Sequence, residues 1–271
     1  MKTLHIKSFA KVNLGLRVLE KREDGYHNIN TIMQTVSIFD ELDISLTEKG
    51  ITLKNTKEKF GVRINLKKNI PIGGGLGGGS SDAASVLVGL KFLLSSSIGK
   101  GNLKEMALSI GSDVVFFIDG GTAFVSGRGE VVKPICPEPF FNYLLVFPNF
   151  GVNTKYAYDK INFLTKKEKY IRISDCNFDN GGLKKLKMLV KNDFEEVMFR
   201  KYKELKTIKQ FLIQNGAISV SLSGSGSTVY GIFDDIEKMD SSLELLKRKR
   251  YWVKKAFSIP SSEIPQFSFK E

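Results

Sequence analysis

Between Pro71 and Ala84 the chain reads PIGGGLGGGSSDAA, and six of the seven positions from Gly73 to Gly79 are glycine. Glycine loses more conformational freedom on folding than any other residue and brings no side chain to a core. A cluster of it marks a place where backbone turns sharply or approaches something closely. An apolar run with helical character follows from Ser80. A glycine loop that feeds a helix N-terminus suits an anion, because unpaired N–H groups and the helix dipole point the same way. The stretch predicts a phosphate held at the start of this helix.

Two familiar phosphate patterns do not fit. A Walker A loop ends in Gly-Lys-Ser/Thr, whereas this loop ends Gly79-Ser80-Ser81, without the lysine that reaches terminal phosphates. Gly73, Gly75 and Gly78 satisfy GxGxxG, but any run of glycines does. A dinucleotide fold also needs an acidic residue about twenty positions on, at the end of a strand. Here that region reads SSSIGKGN, which is no strand.

The totals bound the class. At 271 residues, 42% hydrophobic and 26% charged, the chain is long enough for one large or two ordinary domains and too apolar for disorder. MKTLHIKSFA lacks the pattern of a signal peptide, and the apolar runs are short for a membrane span. Cys136 and Cys176 give neither a disulfide framework nor zinc spacing. A reduced, cytoplasmic setting is expected. The net charge of +12 suits anionic partners, phosphorylated metabolites included. The basic run Lys247–Lys255 reads as a solvated face, so no nucleic acid and no membrane are expected as partners.

Local patterning predicts strands at 4–19, interrupted at AKVNL, and two strands over 31–47 joined near Phe39–Leu42. Shorter strands are expected at Ile51–Lys54 and Val62–Leu66. Helices follow at Ser80–Leu94, with Ser80, Ser81 and Asp82 as N-cap candidates, and at Leu103–Ile110. Val114–Ile118, Thr122–Val125 and Phe141–Phe147 read as strands. The second half alternates helices at Lys155–Asn162, Leu183–Met198, Lys201–Asn215 and Ile236–Lys249 with strands at Ile218–Leu222, Thr228–Phe233 and Trp252–Ser258. A boundary near Pro148–Gly151 divides the chain into 1–149 and 150–271.

The segment IPIGGGLGGGSSDAA, between a strand and a helix, resembles the phosphate loop of the GHMP kinase superfamily. Further stretches match in order: FAKVNLGL (9–16), DGYH (24–27), GSDVVFF (111–117, with Val115 where proline is usual), GGTAFVSGRGE (120–130) and SLSGSGSTVYGIF (221–233). Together they are similar to the branch serving the non-mevalonate route to isoprenoids, whose acceptor is a cytidine diphosphate derivative. The resemblance implies an α+β, two-domain fold. Its N-terminal domain would be like the second domain of ribosomal protein S5, and its C-terminal domain ferredoxin-like.

The resemblance also implies an ATP-dependent small-molecule kinase working with Mg2+, as a monomer or homodimer. Pro71, Gly73, Gly74, Gly75, Leu76, Gly77, Gly78, Gly79, Ser80 and Ser81 would hold ATP. Ser80 and Ser81 read either as N-cap residues or as contacts to magnesium or a terminal phosphate. Asp113 would take the acceptor's proton and Lys11 would stabilise the developing charge. On the residues alone, Asp113 reads equally as a helix cap and Lys11 as a surface lysine. Asn13 would orient the substrate or Lys11, Tyr26 and His27 would recognise the base, and Ser223, Gly224 and Ser225 would brace the phosphate loop and help line the phosphate or acceptor site. Val190 and Phe194 are candidates for a second stacking partner. Only NTKEKFG separates the strands near Ile51 and Val62, where that branch carries a longer adenine-pocket segment, so adenine is expected to be held differently.

Overall fold

The computed structural model describes residues 3–52, 59–161 and 190–270. The first sheet is antiparallel. Its strands are β1 (Thr3–Lys21), β2 (His27–Thr52), β3 (Lys59–Lys67), β4 (Thr122–Gly127), β5 (Val131–Pro134) and β10 (Gln266–Lys270). Their order is β10-β1-β2-β4-β5, with β3 also paired to β2. β2 is long enough to take β4 along residues 29–34 and β3 along 41–47 on one edge, while β1 runs along the other.

The interruption expected at AKVNL is not a break in the strand. β1 stays continuous and shifts register between Phe9 and Ala10 and again between Asn13 and Gly15. Such bulges bend and twist a strand without ending it. β2 likewise runs through Phe39–Leu42, where a join between two strands is expected from the sequence.

Three helices, α1 (Gly78–Leu93), α2 (Lys100–Ile110) and α3 (Val114–Asp119), pack with this sheet. Leu4, Ile6, Leu42 and Ile44 meet Val86, Leu90 and Leu93 of α1. Met33, Ala123 and Val125 meet Ala84, Leu103, Ala107 and the whole of Val114–Ile118. That last run is helical, correcting the expected strand. All five residues are buried, and a short run buried on every side carries no periodicity to separate helix from strand.

The second sheet has the order β7-β8-β6-β9, from β6 (Asn142–Phe147), β7 (Ser219–Leu222), β8 (Val229–Phe233) and β9 (Trp252–Phe257). α4 (Thr154–Lys160), α5 (Phe194–Lys201) and α6 (Lys203–Gln214) lie between β6 and β7, and α7 (Ile236–Lys247) between β8 and β9. The succession β-α-β-β-α-β with this order is the ferredoxin-like arrangement. On α6, Leu205, Ile208 and Leu212 recur at helical spacing and are buried against Leu144, Val146 and Val229. The expected strand end at Leu53–Lys54, the first part of the expected helix at Leu183–Met198, and Cys176 lie outside the described residues.

The division at 149/150 does not coincide with the division between sheets. β6 precedes it yet belongs to the second sheet, and β10 returns from the far end to pair with β1. Neither β5, β10 nor the short turn Ser261–Glu263 is expected from the sequence.

Buried polar contacts lock the sheets together. Tyr143 of β6 donates to Gln34 of β2, whose amide donates to Thr122 Oγ1 at 2.8 Å and the Pro139 carbonyl at 2.7 Å. Tyr230 of β8 donates to the Asn13 carbonyl at 2.8 Å. Leu14 is the residue the β1–β2 register skips, so this hydroxyl caps backbone at a bulge. Burial holds the Tyr230 hydroxyl far above its usual pKa, and it stays a donor. Tyr230→Phe is expected to cost about 1–3 kcal/mol by stranding a buried carbonyl. The check is a lower urea midpoint at unchanged slope.

Candidate active site

A cleft of about 730 Å³ opens where the two sheets meet, lined by the glycine loop, Lys11, Asn13, Lys68, Asp82, Asp113, Thr154, Tyr158, Phe194, Gly224 and Ser225. Gly73, Gly75 and Gly77 have φ of +70°, +77° and +71°, the left-handed region that favours glycine. Gly75 has a second constraint, because a Cβ there would stand 2.1 Å from the Ser223 carbonyl oxygen.

The loop's acceptors are committed to the protein. The carbonyls of Gly73, Gly74, Gly75 and Leu76 accept from Val152 N (3.2 Å), Thr228 N (3.0 Å), Ser223 Oγ (2.9 Å) and Lys11 N (2.9 Å). No N–H from Gly73 to Gly77 donates to another described residue. The loop thus offers donors to the cleft, as an anion-binding nest does.

The start of α1 continues that surface. Its N-cap is Gly77, not Ser80, Ser81 or Asp82, and no side chain caps it. The first helical bond runs from Ser81 N to Gly77 O. Ser80 lines the cleft. Ser81, expected beside it, is turned away: it is buried and accepts a hydrogen bond from Ser8 Oγ at 2.7 Å. Pro71 and Gly73–Ser80 line the cleft.

Lys11 is 3% exposed. Its Nζ donates to Asn13 Oδ1 at 2.6 Å and lies 3.5 Å from Asp113 Oδ2. Asn13 is itself fixed by donating to Thr31 Oγ1 at 2.9 Å. A buried ammonium needs such partners to offset lost hydration. Asp113 occupies the N-cap position of α3, but its side chain makes no capping bond and is 34% exposed to the cleft side. Its carboxylate thus does not make the capping bond that the residues alone allow.

The sequence reading missed a second charged group. Lys68 bonds Asp82 at 2.6 Å and also Asp40, which is fully buried and accepts from the N–H groups of Asn69 and Ile70. Burial pushes the Asp82 carboxyl above its ordinary range, against the opposing pull of Lys68. Burial also disfavours charge on Lys68, but the two carboxylates outweigh it and hold its pKa up. One lysine before a loop carries no signal in a chain with 41 basic residues. Among the described residues no cluster of three His, Cys, Asp or Glu side chains stands ready for a metal.

Aromatic rings flank the cleft. His27 stacks on Tyr158 with centroids 5.2 Å apart and planes 9° apart, and Tyr158 meets Phe194 edge-on at 4.9 Å. Burial, helped by Lys21 and opposed by Asp159, lowers the His27 pKa. Burial, then the charge of Asp113, raises that of Tyr158. Tyr26 is 55% exposed under the Arg128 guanidinium. Tyr26 and His27 do not line the cleft themselves; Tyr158 and Phe194 do. Val190 is buried in the core. Tyr158 and Thr154 sit on α4, where nothing in the helical pattern marks them.

The second loop is half brace, half wall. Ser223 is buried against Gly75, while Gly224 and Ser225 line the cleft. Asn192 holds this loop by donating to the carbonyls of Leu222 (2.7 Å) and Gly224 (2.8 Å). Ser225 Oγ lies 3.0 Å from Thr154 Oγ1.

Comparison with known proteins agrees with this geometry. Residues 45–121 match the GHMP kinases N terminal domain and residues 176–244 match GHMP kinases C terminal. The chain belongs to the GHMP kinases. Within that family it is similar to the 4-diphosphocytidyl-2-C-methyl-D-erythritol kinase of Thermoanaerobacter pseudethanolicus, at 39% identity over 91% of this chain and 93% of that one. The enzyme of the same name from Clostridium botulinum (strain Loch Maree / Type A3) is also 39% identical, over 90% and 95%. A crystal structure of a 4-(cytidine 5'-diphospho)-2C-methyl-D-erythritol kinase superposes with a TM-score of 0.74 at 31% identity, covering 94% of this chain and 99% of that one. Likeness at lower identity extends to the fold alone: a crystal structure of L. major mevalonate kinase superposes with a TM-score of 0.71 at 16% identity, covering 94% of this chain and 96% of that one.

Two glycine substitutions separate backbone constraint from mere composition. Gly75→Ala meets both a left-handed φ and the Ser223 carbonyl, and is expected to lower stability by about 1–3 kcal/mol and weaken ATP binding. Gly79→Ala meets nothing within 4 Å and is expected to leave stability nearly unchanged. Thermal melts with and without ATP check both.

Proposed function

We propose that the chain transfers the γ-phosphate of ATP to the 2-hydroxyl of 4-diphosphocytidyl-2-C-methyl-D-erythritol, a step of the non-mevalonate route to isoprenoid precursors. The observation that carries this is the placement of Lys11 Nζ 3.5 Å from Asp113, in a cleft walled by a donor-rich glycine loop.

Phosphoryl transfer asks the protein for alignment and charge neutralisation more than covalent chemistry. The loop N–H groups and the α1 dipole hold the ATP phosphates. Asp113 accepts the proton of the attacking hydroxyl, and Lys11, aimed by Asn13, stabilises the negative charge that develops there. Magnesium, which prefers oxygen ligands and keeps several waters, would be carried by the phosphates, with the cleft-facing Ser80 hydroxyl as a fitting oxygen. When bound it would neutralise phosphate charge. His27, with its depressed pKa, presents one donor and one acceptor to a base edge. Tyr158 and Tyr26 offer aromatic faces beside it.

The decisive assay is ADP release from ATP and magnesium with 4-diphosphocytidyl-2-C-methyl-D-erythritol, homoserine, mevalonate or galactose as acceptor. Turnover on the first alone is expected; turnover on another acceptor overturns the substrate assignment. Lys11→Met, which keeps the buried stem, and Asp113→Asn should each fold and lose about 10²-fold or more in kcat. A variant that keeps near-full rate removes its residue from the mechanism.

A further inference from the structure

Two hairpin tips stand side by side at the rim of the site. The tip between β1 and β2 carries Tyr26, held by Arg22 N donating to the Tyr26 carbonyl at 2.7 Å and by Tyr26 N donating to Asp24 Oδ1 at 3.1 Å. The turn between β4 and β5 carries Arg128 between Gly127 and Gly129, both at positive φ. Pairing of Ile29 with Gly127 sets the two tips in register. The Arg128 guanidinium carbon consequently lies 5.2 Å from the centre of the Tyr26 ring.

The same turn touches the reacting end of the site. A Cβ on Gly129 would come 2.8 Å from Ser112 Cβ, and Ser112 precedes Asp113. The turn that carries Arg128 thus touches the residue preceding Asp113, while its guanidinium lies over the Tyr26 ring. In a cytidine diphosphate derivative the diphosphate occupies the corresponding place, between base and polyol.

Three neighbouring cations are already committed. Arg17 pairs with Asp193 at 2.9 Å, Arg22 with Asp24 at 3.1 Å, and Lys11 with Asn13 and Asp113. Arg128 makes no ion-pair contact among the described residues, although its charge helps lower the Asp24 pKa, and its backbone N–H, not its guanidinium, is what Glu130 binds. A guanidinium matches two phosphate oxygens at once, which an ammonium does not.

We propose that Arg128 grips the diphosphate of the acceptor and so sets the enzyme's preference for a nucleoside diphosphate over a bare nucleoside. The inference rests on the acceptor assignment above. The test compares the unmodified enzyme with Arg128→Met and Arg128→Lys. It measures KM for acceptor and for ATP, and competitive inhibition by CDP, CMP and cytidine. Arg128→Met should raise the acceptor KM by about 10- to 100-fold, with KM for ATP held within about twofold. CDP should lose its advantage over cytidine, and Arg128→Lys should recover part of it. If CDP and cytidine weaken equally, Arg128 only supports the Tyr26 ring and the inference falls. It falls too if neither changes, while the acceptor assignment stands. An unmodified enzyme that does not use the diphosphocytidyl acceptor overturns the assignment and the inference together.

Discussion

The contact between Gly75 and Ser223 is the constraint on which the site depends. The two loops meet backbone to backbone, with room for no side chain between them. That approach brings a loop of the first sheet's domain against a loop of the second, and it fixes four consecutive carbonyls away from the cleft. The anion-binding face of the loop is therefore set by the protein's own hydrogen bonds before any nucleotide arrives. Preorganised donors cost no rearrangement at the moment of reaction, which is where most of their catalytic value lies.

The same packing explains how a lysine can be buried beside a carboxylate. Lys11 N donates to the Leu76 carbonyl, so the strand and the loop share a backbone bond, and Gly77 leaves space for the Lys11 stem and the Phe117 ring. Asn13 and Asp113 then supply the polar partners that a buried ammonium requires. The Tyr230 hydroxyl secures the bulge immediately downstream. Position, burial and partner all follow from one strand held between two sheets.

Much of this was legible in the sequence because glycine is informative in a way most residues are not. The loop, the helix after it, and Lys11, Asn13 and Asp113 at the site all follow from motifs quoted residue by residue. What was not legible has physical causes. VVFFI is buried on all sides and reads the same as a helix or a strand. The bulges in β1 imitate a break. β5 and β10 are short and largely exposed, so they lack alternation. Tyr158, Lys68 and Asp82 matter through contacts made across long stretches of chain, which no local pattern encodes. Ser81 shows the reverse error: a serine in the right motif, rotated to the wrong side of its helix.

The pairing of Thr3–Lys7 with Gln266–Lys270 has a bearing on how the protein folds. The outer neighbour of β1 is β10, which every strand of the second sheet separates from it along the chain. Until β10 docks, the edge at β1 is an open row of backbone donors and acceptors, a template for pairing with other chains. Lys7 on that edge adds positive charge, a common guard against such association. The sheet that carries Lys11 is thus completed by a contact of very long sequence separation, and loop-closure entropy makes such a contact a late one.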